Sequence, residues 1–342
     1  MKYTLILIYF LVLVSLGLSS CKNDSGKNKI YKIGLISGLG GFNDKSFNHS
    51  AMEGFSRAKG AFFFTAESRE SSSEADFKTN IDYFASNDFD LIICLGYSMS
   101  GAVKAASSTY PKTDFLLIDY AYPNVPSNVT CVTFAVDQVS FPAGVLAAYW
   151  ANLKDPDNPV AGYIAGPETL IMNQFALSYI NGIEYFNNKY KENVSHEGLF
   201  TSSYADSLLG EQAANTLINT KGVDVIYTFA GITGKGALTV AKAQHKWGIG
   251  VDVDQYISLP EVNDILLSSC MKRLDIAVYD VIANYLVELF PGGKSRNIIL
   301  DDNGVCLAPY HDFEGQVPDS IKLLLNQVQV DIINGTLSTG WK

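Results

Sequence analysis

From residue 30 onward the chain repeats one unit: a short apolar run of strand type, a polar turn, then an amphipathic helix. The spacing predicts strands over 32–37, 61–65, 91–95 and 115–118, with helices over 47–59, 73–84 and 98–107. Strands alternating with helices at this interval require a parallel sheet covered on both faces. Residues 121–128, with two prolines and two asparagines, break the rhythm and suit a crossing between lobes. A second cycle follows, with helices over 138–153, 169–189, 206–220 and 234–245 and strands over 160–165, 194–200 and 223–229. The tail, through helices over 272–290 and 318–334, crosses between the lobes again. The fold class is therefore α/β, with two lobes, each on a parallel sheet. Lobe one takes 30–135 plus about 257–295; lobe two takes 136–256 plus about 296–342. Ligands of open parallel sheets bind beyond the carboxyl ends of the strands, which places a ligand cleft between the lobes.

Residues 1–20 hold one charge, Lys2, and an apolar run, and they end in Ser19 and Ser20 before Cys21. That is a signal peptide with a lipoprotein cleavage site, the run being too short for a permanent membrane helix. Cys21 becomes the acylated first residue, and 21–29, rich in Gly, Ser, Asn, Asp and Lys, forms a flexible tether. The expected location is the cell membrane, lipid-anchored and facing the periplasm or cell exterior. The formal charge of −10 becomes −11 when Lys2 leaves with the signal. An acidic body of this kind repels nucleic acid. Cys94, Cys131, Cys270 and Cys306 lack metal-site spacing and read as buried thiols, an exported disulfide being the alternative.

The densest polar signal directly follows the first strand, at Ser37-Gly38-Leu39-Gly40-Gly41-Phe42-Asn43-Asp44-Lys45-Ser46-Phe47-Asn48. Asp44, Phe47 and Asn48 bring a carboxylate, an aromatic face and an amide to one helix start. Those groups hold hydroxyls, stack on a base and read its edge; equally, Asp44 caps the helix and Phe47 packs in the core. The spacing is not GxGxxG, and Asp44 would oppose a pyrophosphate. The cluster at 230–236 fails as a phosphate loop, because Gly236 stands where Ser or Thr should hold magnesium. Asp252-Val253-Asp254 begins like a calcium loop, but Ile257 occupies the position that needs glycine. No metal and no cofactor is expected. A hydrolase would have to assemble Ser98, Asp301 and His311, and Ser100 stands where a nucleophile elbow has glycine.

At Gly40–Asn48 the sequence resembles the basic membrane protein family of bacterial lipoproteins, purine nucleoside receptors of the transporter-binding type. Four further motifs follow in order: Ser140-Phe141-Pro142-Ala143-Gly144, Ala230-Gly231-Ile232-Thr233-Gly234, Gly250-Val251-Asp252-Val253-Asp254-Gln255 and Lys272-Arg273-Leu274-Asp275-Ile276-Ala277-Val278-Tyr279. The resemblance implies a periplasmic-binding-protein-like fold (type I) of two Rossmann-like lobes, working with an ABC transporter permease and performing no catalysis. It also implies a base held between two aromatic rings. Phe47 matches the first, and Tyr204, after Ser202-Ser203 where the family has Gly-Ser, stands at the second. Asp252, Lys272 and the Gly231 backbone match the positions that hold the ribose. For the carboxylate that reads the base, Asp137 is the choice and Asp119 the reserve. A sugar or polyol ligand on the same fold, an exported serine esterase and a surface adhesin are the rival readings.

Overall fold

The computed structural model describes residues 29–341. The signal peptide, Cys21 and the tether up to residue 28 lie outside the described residues. In lobe one, β1 (Lys32–Leu39) leads through α1 (Phe47–Ala61) to β2 (Thr65–Ser71), α2 (Glu74–Ser86), β3 (Leu91–Leu95), α3 (Ser100–Thr109), β4 (Asp114–Ile118) and β5 (Val129–Phe134). Lobe two contains α4 (Val136–Lys154), β6 (Val160–Ala165), α5 (Leu170–Tyr190), β7 (Ser195–Phe200), α6 (Ser207–Lys221), β8 (Val225–Phe229), α7 (Gly231–Ala243), β9 (Trp247–Asp252), the short α8 (Gln255–Ser258) and β10 (Leu266–Lys272). The chain returns to lobe one for α9 (Leu274–Leu286) and β11 (Lys294–Ile298), then to lobe two for β12 (Val305–Leu307) and α10 (Asp319–Ile333).

The strand order is β11-β5-β4-β3-β1-β2 in one sheet and β12-β10-β9-β8-β6-β7 in the other. Five strands of each sheet thus follow the same parallel order, and the lobes differ in the sixth, since β12 runs antiparallel to β10. The central strands are buried along their length because helices cover both faces, which is why they read as almost wholly apolar runs without a charge. Helix starts follow their side chains. Ser73 and Asp76 form a capping box on α2, Thr169 caps α5, and the Asp206 carboxylate accepts from two amides at the start of α6.

Helices α4 and α5 cross through two glycines. A Cβ on Gly144 would lie 2.0 Å from the Tyr179 carbonyl, and one on Gly182 would lie 2.0 Å from that of Phe141. The two backbones therefore touch, and neither position tolerates a side chain. Cys94, Cys131 and Cys270 are buried and Cys306 partly so, all four as free thiols. Among the described residues no helix is long and apolar enough to cross a membrane.

Four expectations change. The strand predicted over 61–65 is instead β2, whose polar Thr65–Ser71 sequence suits a sheet edge. The Phe62 and Phe64 rings are packing residues of the preceding loop, Phe62 against Tyr279 and Phe64 against Phe55. Residues 121–128 join β4 to β5 within one sheet, so the first crossing comes after Phe134. The interval 257–295 divides, because β10 belongs to the second sheet and only α9 and β11 belong to lobe one. The helix predicted from 272 begins at Leu274, Lys272 being the last residue of a buried strand.

Candidate functional site

Loops at the carboxyl ends of β1, β3 and β4 meet those of β8, β9 and β10 around a cavity of about 360 Å³ between the lobes. Asp44, Phe47, Asn48, Tyr204, Gly231, Asp252 and Lys272 all line it. The lobes touch across its edge, where Ser46 Oγ donates to Asp252 Oδ2 (2.5 Å) and Ser258 Oγ donates to the Lys45 carbonyl (3.0 Å).

The glycine-rich loop is built backwards from its polar side chains. Asp44 Oδ1 accepts from the Ser46 and His49 amides (3.0 and 2.9 Å), and Oδ2 from the amide and Nδ2 of Asn48 (2.9 and 3.0 Å). Asn48 Oδ1 in turn accepts from the Gly38 amide at 2.8 Å, tying the start of α1 back to β1. Burial raises the Asp44 pKa, and the hydrogen bonds to Asn48, Ser46 and His49 pull it back. Both side chains reach the cavity wall, but their hydrogen-bonding capacity is largely committed to the loop. What the loop presents inward is the Phe47 ring.

Lys272, at the end of β10, has a side chain only 2% exposed. Its Nζ donates to Asp119 Oδ2 at 2.5 Å and sits 4.7 Å from the centroid of the Phe47 ring. Asp119 Oδ1 is buried with no hydrogen-bond partner among the described residues, and the residue lines the cavity. An orphaned carboxylate oxygen at a cavity wall is an acceptor waiting for a donor. Asp119 follows β4 and Asp252 ends β9, strands that occupy equivalent places in the two sheets. Both aspartates hold left-handed backbone, φ 64° and 65°, a conformation that Asp adopts more readily than most residues. Burial pushes the Asp252 pKa up to about 6, with Lys272 and the Ser46 hydroxyl opposing.

Tyr204 enters from lobe two because Gly166 leaves it room; a Cβ there would lie 2.0 Å from Tyr204 Cε1. Its hydroxyl is raised above the ordinary phenol range, chiefly by burial, beside Tyr97. Gly231, with φ 56°, opens α7 at the cavity edge.

Asp137 does not line the cavity. Its carboxylate accepts from Gln174 Nε2 at 2.7 Å and Thr339 Oγ1 at 2.6 Å, so it fastens α4 to α5 and to the last residues of the chain. It falls in the first turn of α4, which points it along the helix bundle of lobe two, whereas Asp119 at a strand end faces the cleft. Asp137→Ala is expected to lower stability by about 1–3 kcal/mol through two orphaned donors, with ligand affinity unchanged in calorimetry. The hydrolase arrangement is also absent. Ser98 lines the cavity, but His311 pairs with Asp254 at 2.7 Å and stacks on Tyr256 outside the cavity lining. Among the described residues no group of three or more His, Cys, Asp or Glu side chains is placed to hold a metal.

Sequence reasoning overlooked Tyr97, Met172, Phe175 and Phe229, which complete the walls. Tyr97 and Phe229 stand at the carboxyl ends of β3 and β8, so the strand-end rule could have found them. Met172 and Phe175 are on α5 and read simply as core.

Two matched sheets whose strand-end loops meet around a polar-edged cavity make the type I periplasmic-binding architecture, the one that solute-binding proteins of ABC transporters share. The model of that family, Bmp, the PnrA-like ABC transporter substrate-binding proteins, matches residues 32–338, and the chain belongs to it. Its members bind a substrate and work with a transporter; they are not enzymes. The chain is 32% identical over 324 residues to the CD4+ T-cell-stimulating antigen of Listeria innocua, covering 88% of this chain and 87% of that protein. It is 27% identical over 368 aligned positions to the ABC transporter nucleoside-binding protein BmpA of Lactococcus lactis, covering 99% of both. An ABC transporter solute-binding protein of Aeropyrum pernix superposes with a TM-score of 0.83 at 24% identity, over 91% of this chain and 93% of that one, and shares its type I periplasmic-binding fold.

Proposed function

We propose that the protein captures a purine nucleoside between its lobes and delivers it to the permease of an ABC transporter, held at the membrane by lipid on Cys21. The observation that carries this reading is that Phe47 and Tyr204, one ring from each lobe, line the same cavity, edged by Asp119, Asp252 and Lys272. Its volume of about 360 Å³ lies at the small end of the range for small-molecule sites, about 300–1,000 Å³, and suits a nucleoside better than a nucleotide. The acidic edge also opposes phosphate. In this arrangement the base stacks between the rings, with Asp119 Oδ1 accepting from a ring N–H. Asp252 accepts from the ribose hydroxyls, and Lys272 and the Gly231 backbone complete their shell. Asp44 and Asn48 act by fixing the loop that carries Phe47. The Lactococcus relative, named as nucleoside-binding and matched over nearly its whole length, supports the same class of ligand.

The test is a thermal-shift panel of inosine, guanosine, adenosine, ribose and hexoses. Nucleosides are expected to raise the melting temperature at concentrations where ribose and hexoses do nothing. A larger shift with a hexose would replace the nucleoside reading with a sugar-binding one.

The Asp252 carboxyl adds a pH signature. Its folded pKa, about 6, lies above the ordinary value of 3.8, so its contribution to stability is full below 3.8 and is lost as pH rises through 6. Hydroxyls donating to the carboxylate favour its charged form, so binding releases a proton in this range. Nucleoside affinity measured by calorimetry is therefore expected to fall as pH drops below about 6, by up to roughly tenfold per unit. Asp252→Asn flattens that dependence; a wild-type protein already flat between pH 7 and 5 would remove Asp252 from the ribose.

A further inference from the structure

At the end of lobe one away from the cleft, three large apolar side chains stand in solvent: Phe63 is 82% exposed, Val287 62% and Leu289 67%. They gather around Tyr31, where the chain enters the lobe. Thr65, two residues past Phe63, donates its amide to the Tyr31 carbonyl at 2.8 Å. Glu288, between Val287 and Leu289, accepts from the Tyr31 hydroxyl at 3.3 Å, and the Tyr31 ring packs on Tyr285 at 5.4 Å. The exposure is not a failure of packing, because Phe62 and Phe64 on either side of Phe63 turn inward against Tyr279 and Phe55.

We infer that this patch rests on the surface of the lipid bilayer. The inference depends on the proposed lipid anchor, which fixes what lies within reach. The nine residues 21–29 span at most about 30 Å even fully extended, so acyl chains on Cys21 hold the patch close to lipid. The formal charge of −11 left once Lys2 is removed gives no attraction to an anionic membrane surface, so apolar side chains supply the contact. Aromatic and aliphatic side chains at the end of a rigid lobe enter the interfacial region without unfolding anything. β1 runs from this patch to the cleft over eight residues, about 26 Å at the rise of a strand. Lobe one then stands on the membrane with its cleft raised into solvent, an orientation suited to collecting solute, and the molecule must tilt to deliver it.

The test uses the full acylated chain reconstituted into phosphatidylcholine vesicles with brominated acyl chains, comparing Phe63→Trp with Ile257→Trp. Ile257 is 71% exposed and lies on α8, beside the cleft. The added emission of Phe63→Trp is expected to be blue-shifted and quenched by the brominated lipid at least twofold more than that of Ile257→Trp. Equal quenching in protein that floats with the vesicles overturns the patch and leaves the anchor standing. A blue shift without quenching means that a second copy or another protein covers Phe63, and it too overturns the inference. Protein that fails to float overturns the anchor reading and this inference together.

Discussion

Lys272→Ala is expected to lower unfolding stability by about 3–5 kcal/mol and nucleoside affinity by about 10- to 100-fold. The ammonium lies almost wholly out of water, and Asp119 is its carboxylate partner at 2.5 Å. Removing the cation strands a buried negative charge that already has one oxygen without a partner. Much of the expected loss is that stranded charge, which the double variant separates. Asp119→Asn with Lys272→Met removes both charges and keeps a residue that tolerates the left-handed backbone at 119. Chemical denaturation should show most of the stability returning, while calorimetry shows binding still lost. Recovery of binding in the double variant would make the pair structural and take Lys272 out of the ligand shell.

Phe47→Ala is expected to weaken nucleoside binding by about 1–3 kcal/mol, roughly 5- to 150-fold, with little change in melting temperature. The ring is only half-buried and begins a helix whose start is secured by Asp44 and Asn48, so the fold does not depend on it. Ring stacking on the base predicts that Phe47→Leu recovers little of the loss, since a branched aliphatic fills volume without a flat face. Full recovery with Leu would reduce Phe47 to an apolar wall. The ring also faces the Lys272 ammonium at 4.7 Å, so part of the effect passes through the cation.

The two-lobed α/β architecture was legible because its central strands are buried on both faces and carry no charge: β3 (Leu91–Leu95) and β8 (Val225–Phe229) could hardly be read otherwise. The edges were not. In β2, Thr-Ala-Glu-Ser-Arg-Glu-Ser carries no apolar run, because an edge strand is paired on one side only. β11 is similarly polar and exposed, and it takes its place from pairing with β5 rather than from its own composition. Within the cleft, the candidates picked from strand-end loops line the cavity, since glycine and charge mark those loops. Asp137 was chosen over Asp119, yet only Asp119 lines the cavity: both follow apolar runs, and nothing local says that one begins a helix bonded to Gln174 and Thr339.

The chain passes between the lobes three times, after β5, β10 and β11. β5 and β11 are neighbours at one border of the first sheet, and β10 and β12 are neighbours at the corresponding border of the second. Three backbone straps side by side act as a hinge with a wide leaf: they permit bending about their row but resist twisting and sliding. The cleft therefore opens like a book, from the margin opposite the spine. A solute held in the cleft then has one edge against the spine, and that edge is the last to be wetted when the lobes part.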